Sequence, residues 1–380
     1  MSKIIVLGAG MVGSAMAIDL SFQHQVHLAD LNIESLDRAK KKCPALKTEQ
    51  IDVSNTSKLK QLIASFDLVI CAVPGFLGFN TVKEVIESGK NIVDISFFPE
   101  NALELDSLAK EKGVSAFVDC GVAPGVHNLI LGYYNEKYKI SDFECYVGGL
   151  PKVRKWPFFY KAPFSPIDVI EEYTRPARYV ENGVIVTRDA LSDCEFLEFD
   201  KVGTLEAFNS DGLRSILHTM SHIKNMKEKT LRYPGHVEYV RVLKESGFFS
   251  KNKINVKGVD VSPIDVSCSI LFKDWKLGES EEEITVMRVI LKTENVNGKQ
   301  EEITYNLYDE FNHKTQTSSM ARTTGYTATA VANMFLKGHF TTKGVFPPEL
   351  IGKNEVCFNF IMAYLKERNI NYVKSSSISQ

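Results

Sequence analysis

"KIIVLGAGMVGSAMAIDL", residues 3–20, sets an apolar run, a glycine-rich turn and a small-residue segment end to end. Within it, Gly8-Ala9-Gly10-Met11-Val12-Gly13 fits the spacing GxGxxG. A strand before the glycines and a helix after them give that pattern its meaning. Gly8 permits the tight turn, Gly10 lets the backbone approach a pyrophosphate, and Gly13 lets the helix lie close to the strand. The helix N-terminus, with Met11 and Val12 in its first turn, then faces the phosphates with its free N–H groups. The stretch therefore predicts a dinucleotide site.

Working outward, the next strand ends at Asp30, about 20 residues on, where such sites carry an acidic residue. A carboxylate there accepts hydrogen bonds from the ribose hydroxyls and repels a 2′-phosphate. Leu31 and Asn32 follow, with no arginine adjacent, so the reading is NAD, with NADP disfavoured. The runs "IIVLG", "VHLAD", "TEQID", "LVICAV", "NIVDIS" and "SAFVDC" alternate with helical patterns over residues 1–120. That rhythm predicts an α/β fold with a doubly wound parallel sheet. Ligands of such sheets sit at the carboxyl ends of the strands. Asp52 and Val53 should flank the adenine, and Ala72, Val73 and Pro74 the ribose and pyrophosphate. Ser96, Phe97, Gly121 and Val122 should approach the nicotinamide.

The pattern changes after residue 121. "DCGVAPGVHNLILGYY" reads as a hinge into a second unit, and "EITVMRVILKTENVNGKQEEITYNLYDEF" as a long hairpin turning near Asn297-Gly298. The expected organisation is a Rossmann domain over 1–121, a second α+β domain with a mixed or antiparallel sheet over 122–324, and helices over about 325–372 that return to the first domain. Residues 373–380 are expected to be a disordered tail.

With 380 residues the chain exceeds one ordinary core, which agrees with two domains. A net charge of −2 offers no electrostatic case for nucleic acid or a membrane surface. No apolar run reaches the roughly 20 residues of a membrane span, and no export signal is seen at the start. The seven cysteines form no CxxC pair, so reduced thiols in a cytoplasm are the simpler reading.

The second unit must supply what faces the nicotinamide. "GGLPKVRKWPFFYK", "EAFNSDGLRS" and "TLRYPGH" each set a cation beside Gly or Pro. Arg214 and Arg232 are candidates to hold a substrate carboxylate, which arginine does bidentately. Asp211, Glu206 and Lys161 are candidates for acid–base work, with Asp211 preferred. His218 and His222 have a zinc-compatible i, i+4 spacing on an expected helix, but no third ligand is evident, so no metal is expected.

These landmarks carry a family likeness. The glycine start, "DCGVAPG", "YVGGLP", "FNSDGLRS", "TLRYPGH…VLKESGFF" and "GYTATAVA" resemble the saccharopine dehydrogenase-like oxidoreductases over nearly the whole chain. Within them, "SPIDVIEEYTRPARYVENG" is most similar to the archaeal-type L-lysine 6-dehydrogenases. That resemblance implies a homodimer that oxidises the ε-carbon of lysine with NAD, giving a semialdehyde that cyclises to a piperideine carboxylate, plus ammonia. The competitor is the glutamate-forming saccharopine reductase. Phe97, Ala123 and Val147 stand where those reductases carry tyrosine, aspartate and cysteine, and they should form an apolar pocket that eases deprotonation of the amine. A third reading is a non-catalytic NAD-binding redox sensor.

Overall fold

The computed structural model describes residues 1–164, 166–278, 280–294 and 298–378. The first unit contains β1 (Lys3–Leu7), β2 (Gln25–Asp30), β3 (Lys47–Gln50), β4 (Leu68–Cys71), β5 (Asn91–Asp94) and β6 (Ser115–Phe117). A late strand, Gly344–Phe346, joins them in the order Gly344–Phe346, β6, β5, β4, β1, β2, β3, every pair parallel. The middle of a parallel sheet is covered on both faces, so β1 and β4 are largely apolar and buried, whereas β3 (KTEQ) at the sheet edge is polar and mostly exposed. In β1, Ile4 and Val6 enter one core while Ile5 and Leu7 enter the other. Strand order reverses between β1 and β4, which opens a crevice at their carboxyl ends.

The second unit is built on a mixed sheet of β7 (Lys139–Pro151), β8 (Ala177–Glu181), β9 (Val184–Arg188), β10 (Glu195–Phe199), β11 (Gly203–Asn209) and β12 (Asn225–Arg232). A small hairpin, β13 (Ile254–Val256) and β14 (Val259–Val261), stands apart, and β15 (Glu283–Glu294) and β16 (Gln300–Glu310) complete the sheet. The main order is β10, β11, β12, β7, β15, β16, then Tyr372–Ile378, with β12 and β7 parallel. β15 and β16 are the expected hairpin; Asn297, in its turn, lies outside the described residues.

The tail departs from expectation. Tyr372–Ile378 pairs antiparallel with β16, from Tyr372 opposite Leu307 to Ile378 opposite Glu301. An exposed strand edge offers a row of unpaired N–H and C=O groups, and this segment takes them. Residues 373–378 are thus ordered, while 379–380 lie outside the described residues.

The helix Ser319–Leu336 starts before Gly325, where the sequence pattern placed it, because the Ser318 side chain caps it at the Ala321 amide. It lies against the helix Met11–Ser21, and a Cβ on Gly325 would come within 3.1 Å of the Met16 side chain. Asp19 secures the return, accepting from Thr329 Oγ1 (2.6 Å), the Tyr364 hydroxyl (2.7 Å) and Arg368 Nε (2.8 Å). Among the described residues no helix is long and apolar enough to cross a membrane.

Candidate active site

A cleft of about 1020 Å³ runs from the glycine turn to the face of the second sheet. Gly8 has φ +106°, and a Cβ there would stand 2.4 Å from the Ala72 carbonyl oxygen. A Cβ on Gly13 would stand 1.9 Å from the Gly8 carbonyl oxygen, so strand, turn and helix meet too closely for any side chain. Gly10 differs: nothing lies within 4 Å of a Cβ built there. Gly10 faces open cleft at the mouth of the helix Met11–Ser21, the space a pyrophosphate would fill. The residues present therefore fit a dinucleotide.

All fourteen residues assigned to the cofactor line this cleft: Gly8, Gly10, Met11, Val12 and Gly13 at the turn; Asp30, Leu31, Asp52 and Val53 at the ends of β2 and β3; Ala72, Val73, Pro74, Ser96 and Val122 beyond. The Asp30 carboxylate accepts from the Ala9 and Asn32 amides. The Ser54 hydroxyl, then its amide, hold Asp52 below the usual carboxylate range. Ser96 donates to Asp94, whose burial pushes its carboxyl up to about 7.

One part of the NAD reading needs correction. Arginine is absent directly after Asp30, but Arg38 and Lys42 on the helix Ile33–Lys42 line the same end of the cleft, and Arg38 Nη2 donates to Ser35 Oγ at 2.8 Å. One or two helical turns carried these cations to where adjacency in sequence gave no sign of them.

At the substrate end, Phe97, Ala123 and Val147 line the cleft as expected. Phe97 is not simply an apolar wall. The guanidinium carbons of Arg175 and Arg214 each lie 5.0 Å from its ring centroid, so the ring is a cation–π surface.

The residues chosen to hold the substrate and move protons are mostly engaged elsewhere. Arg214 is buried away from the cleft, with Nε 2.8 Å from Asp119 Oδ1 and Nη1 donating to the Phe98 carbonyl. Arg232 does line the cleft, but its Nη2 is 2.8 Å from Glu172 Oε2 and its Nε donates to the Tyr173 hydroxyl at 3.0 Å. Behind that pair, His236 Nδ1 donates a hydrogen bond to the Phe158 carbonyl at 2.8 Å, so Nε2 accepts from the Tyr173 hydroxyl at 2.9 Å. Burial first, then Arg232, push His236 down to about 3 and keep it neutral.

Asp211 faces the cleft, yet Arg178 grips both its oxygens, at 2.9 and 2.8 Å. A carboxylate fixed in a bidentate pair has little freedom to take a substrate proton. Glu206 and Lys161 lie outside the cleft lining. Glu206 accepts the Gly235 amide at 3.3 Å, and burial raises its carboxyl; Lys161 Nζ is 3.4 Å from Glu281 Oε2. The expected His218–His222 helix is also shorter: it ends at Thr219, and His222 Nε2 meets Asn135 Oδ1 at 2.7 Å instead.

Sequence reasoning missed two sets of residues, save Arg232, which it named. On the helix Pro166–Thr174 and just beyond it, Asp168, Glu171, Glu172 and Arg175 line the cleft at i, i+3, i+4 and i+7. On β12, Glu228, Thr230 and Arg232 line it at every second residue. Both periodicities stand in the sequence and place each set on one face. Arg175 is the informative member. Its Nη2 is 3.5 Å from Glu171 Oε2, while its buried Nη1 has no hydrogen-bond partner among the described residues.

The second unit and its hinge give the cleft six carboxylates, Asp119, Asp168, Glu171, Glu172, Asp211 and Glu228, against Arg175, Arg232, Lys273 and Lys276. Arg214 and Arg178, outside the lining, pair with Asp119 and Asp211, so this end of the cleft is charge-balanced and suits a zwitterionic ligand.

Comparison with known proteins follows these lines. The family model described as "Saccharopine dehydrogenase NADP binding domain" matches residues 4–117, and that described as "Saccharopine dehydrogenase C-terminal domain" matches residues 121–370. An alpha-aminoadipic semialdehyde synthase of Arabidopsis thaliana is 27% identical over 242 residues, 59% of this chain and 23% of that protein. A saccharopine dehydrogenase (NADP+, L-glutamate-forming) of Schizosaccharomyces pombe is 25% identical over 265 residues, 66% of this chain and 59% of that protein. The chain thus spans less than two thirds of these relatives. Apo saccharopine dehydrogenase (L-Glu forming) from Saccharomyces cerevisiae has the same fold, with TM-score 0.79, 20% identity, and 99% of this chain and 100% of that one covered. A homospermidine synthase of Legionella pneumophila in complex with NAD has TM-score 0.68 and 12% identity, covering 99% of this chain and 91% of that one.

Proposed function

The chain belongs to the saccharopine dehydrogenase family, and from that premise we propose that it is a nicotinamide-dependent oxidoreductase that deaminates L-lysine at its ε-carbon. The supporting observation is the charge of the substrate end. Arg232, Arg178 and Arg214 each meet a carboxylate at 2.8 Å, whereas Arg175 meets Glu171 at 3.5 Å and keeps a buried N–H without a partner among the described residues. The most loosely held of these guanidiniums suits the one α-carboxylate of lysine, and Glu228, not paired with an arginine among the described contacts, suits its ammonium. Saccharopine, with three carboxylates, would have to draw on Lys273 and Lys276 as well.

In this reading Gly8, Gly10 and Gly13 cradle the pyrophosphate, Asp30 receives the ribose hydroxyls, and Ser96 and Val122 border the nicotinamide. The bound nicotinamide supplies the hydride acceptor. Arg175 holds the α-carboxylate. Ala123 and Val147 give the amine an apolar wall that lowers its pKa and so favours its neutral form. A cytoplasmic homodimer belongs to the same proposal, and sedimentation of the purified protein checks the dimer.

Two observations favour finer alternatives. Some of the relatives, that of Schizosaccharomyces pombe among them, are named for saccharopine and NADP, which supports the glutamate-forming reductase reading. Arg38 and Lys42 beside Asp30 would suit a 2′-phosphate. One assay decides among them: reduction of NAD and of NADP, each with lysine, ornithine and saccharopine. The proposal expects lysine turnover with NAD. Saccharopine turnover alone would replace it with the reductase, and silence with every amine would favour a redox sensor.

A further inference from the structure

Glu228 carries no proton-transfer role in the account above. It sits on β12, 3% exposed, with its side chain in the cleft wall. Its Oε2 is 3.0 Å from Nε2 of His127, a fully buried residue on the helix Val126–Asn135. The approach is close but not aligned: among the described residues neither His127 nitrogen, nor Glu228 Oε2, has a hydrogen-bond partner. Buried polar atoms are seldom left so, and catalytic hydrogen bonds often align only once substrate is bound.

The surroundings are shaped for this carboxylate. A Cβ on Gly212 would stand 1.7 Å from Glu228 Oε1, so the turn "SDG" is bare where the carboxylate rests. Phe143 stacks on the His127 ring, with centroids 5.8 Å apart and planes 19° apart, which fixes the ring's plane. The titratable groups facing Glu228 are Cys145 on β7, Glu172 on the helix Pro166–Thr174 and Tyr179 on β8, besides His127 itself. Asp119, Glu171, Glu172 and Asp211 in the same cleft are each held by an arginine; Glu228 is not paired with one among the contacts described. Cys145, His127 and Glu228 do bring donor atoms within 4.8 Å of one another. A metal-bound histidine, however, is oriented through its other nitrogen, and His127 Nδ1 has no acceptor.

We propose that Glu228 carries the proton during hydrolysis of the C=N bond, and that His127 is the positioning residue that holds it; this rests on the amine-oxidation reading above. Water oxygen bonds to the iminium carbon while one water O–H breaks and its proton passes to Glu228. The C=N π pair moves to nitrogen. Glu228 then returns the proton to nitrogen. The C–N bond breaks, its electron pair leaves with ammonia, and the hydroxyl proton passes back to Glu228 as the carbonyl forms. For a secondary amine substrate the same sequence releases a primary amine in place of ammonia.

Rapid mixing of enzyme, nicotinamide cofactor and amine tests this. In Glu228→Gln, reduced cofactor should appear as a burst equal to the enzyme concentration, followed by steady turnover about 100-fold slower than the parent, in the range of general acid–base effects. Cofactor affinity should not change. His127→Leu should lower kcat about 10-fold at constant KM, and His127→Gln, which retains an N–H donor, should restore most of it. Glu228→Gln turnover within twofold of the parent, or a slow first turnover without a burst, overturns the role of Glu228. Equal behaviour of the two His127 variants overturns positioning. A parent enzyme that oxidises no amine overturns the underlying reading as well, and so is distinguished from failure of the dyad alone.

Discussion

Asp119 and Arg214 meet at 2.8 Å across the junction of the two units, and both hold left-handed backbones, with φ +57° and +47°. Asp119 follows β6, Arg214 follows β11, and the same guanidinium reaches the Phe98 carbonyl after β5. Both side chains are nearly inaccessible, at 3% and 6% exposure. Arg214 is therefore a rivet between domains and not a substrate ligand. Arg214→Leu should destabilise the protein by about 3–5 kcal/mol, because it strands a buried carboxylate. Chemical denaturation measures this; undiminished stability with a raised substrate KM would return Arg214 to the site.

The glycine turn separates binding from folding. Gly10→Ala adds a methyl group to open cleft, so thermal stability should hold while nucleotide affinity falls about 10-fold or more. Gly13→Ala drives a methyl group into the Gly8 carbonyl, so stability itself should fall by about 1–3 kcal/mol or more. Melting curves with and without nucleotide distinguish the two.

Asp94 gives a pH signature. Its carboxyl is raised from an ordinary 3.8 to about 7 by burial, partly offset by Ser96 and Cys71. Below pH 3.8 folded and unfolded chains both hold the proton. Between about 4 and 7 only the folded chain does, so this group's contribution to stability falls as pH rises through that window, then levels off. Asp94→Asn should flatten the stability–pH profile over that range, by up to about 4 kcal/mol. An unchanged slope in urea titrations would contradict the assignment.

Cofactor choice turns on Arg38. Arg38→Ala should weaken NADP binding about 10-fold or more while leaving NAD within about twofold, since only NADP carries a 2′-phosphate for the guanidinium. Equal losses for both would show that Arg38 serves the helix Ile33–Lys42 and not the cofactor. Fluorescence titration reads both affinities.

The Rossmann half was legible because its signals are local. Strand runs, the glycine spacing and Asp30 at the end of β2 each follow from residues near one another, and fold logic carried them to Asp52, Pro74 and Ser96. The substrate half depends on which partner each charge finds. Asp211 and Arg232 were chosen for residue type and turn context, and both are in the cleft, but Arg178 and Glu172 had already engaged them. No local pattern announces a partner some 33 residues away, as for Arg178 and Asp211. Arg175 and Glu228 were within reach of periodicity: the helical face Asp168–Glu171–Glu172–Arg175 and the strand alternation Glu228–Thr230–Arg232 both stand in the sequence. The tail was misjudged because a serine-rich segment gives little sign that β16 ends the sheet with an unpaired edge.

Arg175 carries the central claim, so the structure of the protein with reduced cofactor and L-lysine tests it most directly. The account predicts the α-carboxylate within hydrogen-bond distance of Arg175 Nη1 and the ε-nitrogen at the cofactor end of the cleft, with Arg175→Ala raising the lysine KM at least about 10-fold and sparing nucleotide affinity. Lysine bound elsewhere, with Arg175 still resting on Phe97 and its Nη1 unpaired, would contradict it.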